Sequence, residues 1–110
     1  MKYDKLVRNR IPEIIEKSGK VAVTRVLSDE EYRVYLEKKL DEEVAEFHES
    51  KSLEELADII EVVHALADYD IDTVDELYKK WYWKGIERGG FSEKILLMEV
   101  IEGGDQNDGN

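Results

Sequence analysis

Cysteine is missing from all 110 residues and proline appears once. The first absence excludes disulfides, zinc–thiolate sites and a thiol nucleophile. Histidine occurs only twice, so an imidazole-rich metal site is excluded as well. No apolar run reaches the roughly 18 residues that a membrane span requires, and no membrane partner is expected. The opening MKYDKLVRNRIPEII lacks the unbroken apolar stretch of a secretory signal. The expected address is therefore cytoplasmic. There is no internal repeat and no glycine-rich phosphate loop, since Gly89-Gly90 alone does not make one.

Charge is abundant instead. Charged residues are 39% of the chain and hydrophobic ones 42%, a composition that predicts a folded domain rather than a disordered one. The net charge of −11 argues against nucleic acid as a partner, because phosphate repels it. The charge is also uneven. Residues 1–25 hold seven Lys/Arg against three acids, whereas the other 85 hold nine basic and 24 acidic side chains. Such a basic arm can close over its own acidic body or over a neighbouring subunit; plain charge balance for solubility is the other reading.

The pattern predicts an all-α fold, an antiparallel helical bundle. A short helix is expected to start at Pro12 and stop at Gly19. Three Ser/Thr-x-x-Glu capping boxes then open longer helices: Ser28 with Glu31, to about Glu49; Ser52 with Glu55, to Ala67 or Tyr69; Thr73 with Glu76, to about Arg88. The β-branched segment VAVTRVL (21–27) and KILLMEVI (94–101) are expected to be extended, with a small β-pair between them as an option. Residues 1–102 are expected to form one helical domain with a basic N-terminal arm, and 103–110 a disordered tail. In the middle helix Leu56, Ile59, Ile60, Val63 and Ala67 form one apolar stripe, widened by Val62 and Leu66. A small domain cannot cover so much apolar surface alone, so a homo-oligomer is expected.

Two acidic motifs stand out, Glu42-Glu43-Val44-Ala45-Glu46 and Glu55-Leu56-Ala57-Asp58. Residues three apart share a helix face, so Glu43 pairs with Glu46 and Glu55 with Asp58. The short connection over 47–54 folds the two pairs toward each other. Glu43 falls inside the apolar stripe Leu36, Leu40, Val44 and Phe47, where an unpaired carboxylate is costly. A divalent cation offsets both burial and mutual repulsion, and oxygen-only ligands favour Mg²⁺ or Mn²⁺ over zinc. The competing readings are that Glu55 only completes its capping box and that Asp58 is solvated beside Glu54 and Glu61.

EExxE on one helix followed by ExxD on the next resembles the MazG-like, all-α nucleoside triphosphate pyrophosphohydrolases. Phosphoribosyl-ATP pyrophosphohydrolase and the dimeric dUTPases belong to the same superfamily. KLVRNRIPEII and the later RGGF resemble a subgroup of small phosphoribosyl-ATP pyrophosphohydrolase-like proteins; the likeness covers roughly residues 3–101. It implies a helical bundle completed by dimerisation or tetramerisation. It also implies Mg²⁺-dependent cleavage of the α–β phosphate bond of a nucleotide substrate, with Glu43, Glu46, Glu55 and Asp58 as metal ligands. The gap between the motifs is eight residues, shorter than the MazG pattern usually has, which leaves less loop to shape a base pocket.

The remaining candidates would serve such chemistry. Glu42 is either an auxiliary base or a solvated acid. Lys84 and Arg88, four apart beside Trp81, can meet phosphate or simply suit a helix end. Lys5, Arg8 and Arg10 in the arm either contact substrate or form surface ion pairs. Tyr78, Trp81, Tyr82 and Trp83 can stack on a base or fill an interface. His64 reads as a core histidine and His48 as a neighbour of the acidic motif. The function expected is a Mg²⁺-dependent nucleoside triphosphate pyrophosphohydrolase. The alternatives are a phosphoribosyl-ATP pyrophosphohydrolase and a non-catalytic helical oligomer that binds metal or nucleotide.

Overall fold

A computed structural model describes residues 4–68 and 70–103. The protein is all-α, with four helices: α1 (Ile11–Lys17), α2 (Asp29–Ser50), α3 (Leu53–Ala67) and α4 (Ile71–Arg88). Two compact units divide between Leu77 and Tyr78. Among the described residues there is no strand, so neither 21–27 nor 94–101 contributes to the β-pair that composition suggested. Their side chains explain why. Val21, Val23, Val26, Ile95, Leu96 and Leu97 are all exposed. β-Branched residues favour strands only where a pleated surface packs against something. Tyr69 and most of the expected tail, 104–110, lie outside the described residues.

The helices begin and end for local reasons. Pro12 sits in the first turn of α1, where a missing N–H costs nothing. Gly19, at φ +91°, takes the chain out of it. At the start of α2 the Glu31 N–H donates to Ser28 Oγ (3.2 Å) and the Ser28 N–H donates to Glu31 Oε1 (3.1 Å), a reciprocal capping box. Arg25 grips the same carboxylate through both terminal nitrogens, at 3.1 and 2.9 Å. That hydrogen-bonded pairing, with the Ser28 N–H, holds the Glu31 carboxyl down at about 2. For α4 the expected box at Thr73 and Glu76 is corrected. The helix starts at Ile71, and Asp70 Oδ1 accepts from the Thr73 N–H (2.9 Å) and hydroxyl (3.1 Å). Asp70 is as good a cap as Thr73 and lies three residues earlier.

Within the first unit α2 and α3 pack as an antiparallel hairpin. The turn is two residues, Lys51 and Ser52; Lys51 adopts φ +55° and its N–H donates to Phe47 O (2.8 Å). Leu36 and Val62 are the buried apolar residues among those described, at 4% and 6% exposure. Burial of each contributes roughly 1.5–3 kcal/mol. Of the expected α3 stripe, Ile59, Val63 and Ala67 are half-buried, as is the widening Leu66. Leu56 and Ile60 are exposed, whereas Val62 is buried and Glu55, Asp58 and Ile59 are half-buried. Val44 of α2 is likewise exposed. Both α3 acids thus lie on the side that meets Glu43 of α2.

In the second unit α4 ends at Gly89, whose N–H donates to Gly85 O (2.9 Å) at φ +78°. Tyr78 and Trp81 meet edge to face, as do Tyr82 and Trp83. A turn closed by the Lys94 N–H on Phe91 O (3.1 Å) leads into the irregular segment 94–103.

Candidate metal centre

One residue organises the acidic end of the hairpin. Glu43 is 4% exposed, the one charged side chain buried to this degree among the described residues. Its carboxylate belongs to two groups, Glu42–Glu43–Glu46 along α2 and Glu43–Glu55–Asp58 across the hairpin. Within each group oxygens from all three residues lie within 4.8 Å of one another. The structure thus brings together Glu43, Glu46, Glu55 and Asp58, with Glu42 beside them.

Ser52 and Glu55 decide between a cap and a site. The sequence motif is the same as at Ser28 and Glu31, but only half of the cap forms. The Glu55 N–H donates to Ser52 Oγ (3.2 Å). The Ser52 N–H, which a reciprocal box would offer to Glu55, donates to Ser50 Oγ instead (3.2 Å). The Glu55 carboxylate turns into the acidic group, and its buried Oε2 has no hydrogen-bond partner. Burial, the hydrogen bond to Glu43 and the charges of Glu46, Glu43 and Asp58 all push its carboxyl above the usual carboxylate range.

Cations from two directions answer part of this charge. Lys39, one helical turn before, stands 3.1 Å from Glu42 and 3.3 Å from Glu43. The N-terminal arm supplies the others: Lys5 stands 3.2 Å from Glu42 and Arg8 2.7 Å from Asp58. Burial works against ionisation of Glu42, yet the hydrogen bonds from Lys39 and Lys5 outweigh it and hold its carboxyl low. Those same two acids outweigh desolvation at Lys39 and hold its ammonium high. Five carboxylates thus meet three cations, and a formal charge of −2 remains. That residue of charge, an all-oxygen donor set and the orphaned oxygen of Glu55 fit a hard divalent ion such as Mg²⁺.

Lys39 was not singled out by its sequence context, although its spacing of three and four from Glu42 and Glu43 is the signal for it. With Lys5, Leu6, Tyr35, Lys38 and Glu42 it lines a cavity of about 240 Å³ beside the acidic group. Arg10 is not drawn in; it pairs with Glu13 at 3.0 Å. Lys84 and Arg88 are exposed on α4, in the second unit. His48 is exposed, its ring 6.1 Å from that of Phe47. His64 is half-buried on α3.

No family model matches the chain. A stretch of 41 residues is 63% identical to an uncharacterized protein of Mycolicibacterium smegmatis (strain ATCC 700084 / mc(2)155). It covers 37% of this chain and 42% of that protein, so well under two thirds of the relative's length is spanned. No solved structure matches.

Proposed function

We propose that the protein is a Mg²⁺-dependent nucleoside triphosphate pyrophosphohydrolase, releasing a nucleoside monophosphate and pyrophosphate. The observation that carries this reading is Glu55. Its carboxylate leaves a cap it was placed to complete and joins Asp58 beside the buried Glu43. A structural helix start gains nothing from that arrangement, since like charges in a half-buried place repel.

On this reading Glu43, Glu46, Glu55 and Asp58 hold the cation. When bound, Mg²⁺ (or Mn²⁺) neutralises phosphate charge and acidifies a coordinated water. Lys39, 3.3 Å away, pairs with Glu43 in its buried position. Glu42, gripped by two lysines, serves to hold Lys5 and Lys39 in place rather than to take a proton. Lys5 and Arg8, paired with Glu42 and Asp58, are the first candidates to meet the phosphates of a nucleotide; Lys84, Arg88 and Arg10 are further candidates for that charge. Oligomerisation, as a homodimer or homotetramer, is supported by the exposed aromatic and aliphatic side chains of α4 and 91–101. No helix of the described residues is long and apolar enough to cross a membrane, and a cytoplasmic address remains part of the proposal. Phosphoribosyl-ATP is the second substrate to consider. The four ion pairs that already quench much of the charge favour the non-catalytic alternative.

The test is pyrophosphate release from a panel of (d)NTPs and phosphoribosyl-ATP, with Mg²⁺ or EDTA, for wild type and Glu43→Gln. Monophosphate plus pyrophosphate, dependent on Mg²⁺ and lost in the variant, is expected. Diphosphate plus orthophosphate would move the cleaved bond. No turnover of any nucleotide would leave a helical binding module.

A further inference from the structure

The basic arm ends on the acidic group by specific contacts, not by general attraction. Arg8 crosses 50 residues of sequence to reach Asp58 at 2.7 Å, and Lys5 reaches Glu42 at 3.2 Å. Arg10, equally basic and two residues away, pairs within α1 instead. The half-buried Leu6 between them anchors the arm and lines the neighbouring cavity. The two contacts differ in redundancy. Glu42 has Lys39 as well as Lys5, whereas Arg8 is the one cation on Asp58 among the described residues.

We propose that Arg8 is the site's internal counter-ion and exchanges with the divalent cation: it holds Asp58 while the cation is absent, and passes to a phosphate oxygen of the nucleotide when the cation takes Asp58. This rests on the proposed metal site. The Arg8–Asp58 pair is partly exposed, at 55% and 39% for the two side chains, and exposed ion pairs are weak enough for a divalent ion to displace. The freed guanidinium presents a planar fork suited to phosphate. Lys5 stays with Glu42 and keeps the arm at the site, so Arg8 is released over a short distance. Two consequences follow from linkage. The arm weakens cation binding before nucleotide arrives, and phosphate on Arg8 strengthens cation binding by the same factor as the cation strengthens phosphate binding.

The experiment uses the full chain stripped with EDTA. Free and bound Mn²⁺ are counted by electron paramagnetic resonance for wild type, Arg8→Gln and Arg8→Lys, each checked for folding by circular dichroism. Arg8→Gln is expected to bind Mn²⁺ about two- to fivefold more tightly, the range an exposed ion pair commands. Arg8→Lys should stay near wild type, and Arg8→Gln should raise the nucleotide KM more than it lowers kcat. In the wild-type protein Mn²⁺ is also expected to speed trypsin cleavage after Arg8. Equal or weaker Mn²⁺ binding by Arg8→Gln, or cleavage indifferent to Mn²⁺, would overturn the exchange and leave the metal site standing. No Mn²⁺ binding by any of the three proteins would overturn both.

Discussion

The two units break the ordinary rule of burial in opposite ways. In the hairpin a charge goes inside: Glu43 is 4% exposed, beside other carboxylates. In the second unit grease stays outside: Phe91 is 99% exposed and Trp81 72%. Each is costly in water without a partner, but the partners differ in kind. A buried carboxylate among other carboxylates calls for a cation. An exposed run of aromatic and aliphatic side chains calls for another protein surface, for which a second copy of the chain is the proposed source. Function is therefore proposed at the first departure and assembly at the second.

The largest effect should come from breaking the first. Glu43→Gln is expected to lower pyrophosphate release by more than the roughly 10–100-fold that loss of an outer-shell partner costs a metal site. Release comparable to wild type in a coupled phosphate assay would detach catalysis from the buried charge. The second departure should respond next. Trp81→Ala is expected to weaken self-association by about 2 kcal/mol, some thirtyfold in dissociation constant, if it behaves as an interface anchor. Light scattering across a dilution series reads this directly; a wild-type monomer at every concentration would remove the second copy from the comparison.

Smaller effects sharpen the contrast inside the hairpin, where Glu31 and Glu55 occupy the same place in the same motif. Glu31 is held low by Arg25, so its contribution to stability is present above the unfolded carboxyl value of 4.5 and is lost as pH falls toward 2. Glu55 is held high, so its ionisation opposes folding, and that opposition fades as pH falls to 4.5. In EDTA at neutral pH, Glu31→Gln should therefore lower Tm and Glu55→Gln should raise it. Thermal melts showing the same sign for both would erase the distinction. Ser28→Ala, which removes only the cap hydroxyl, should cost about 1 kcal/mol, or roughly 4–8 °C in Tm for a domain of this size.

The sequence made the helices legible because their signals are local. Ser28 and Ser52 each open a helix at the following residue, and Gly19 ends α1 with a positive φ. At α4 the local signal is ambiguous, because Thr73 with Glu76 fits the template that Asp70 fills. The acidic residues could be named, but not their arrangement. Whether Glu55 caps or joins Glu43 depends on Ser50 taking the Ser52 N–H, a competition between neighbours that motif spacing does not reveal. α3 is apolar nearly all round, so its periodicity names Ile59, Val62, Val63, Leu66 and Ala67, which are buried or half-buried, together with Leu56 and Ile60, which are exposed. Arg8 on Asp58 is a contact between distant residues, and charge arithmetic alone left the arm's target open.

Calorimetric titration of Mg²⁺ into the EDTA-stripped chain, comparing wild type with Glu31→Gln and Glu55→Gln, tests the central claim most directly. The expected result is a saturable site in wild type and in Glu31→Gln, and its loss in Glu55→Gln. Equal binding by all three proteins, or none by the wild type, would contradict it.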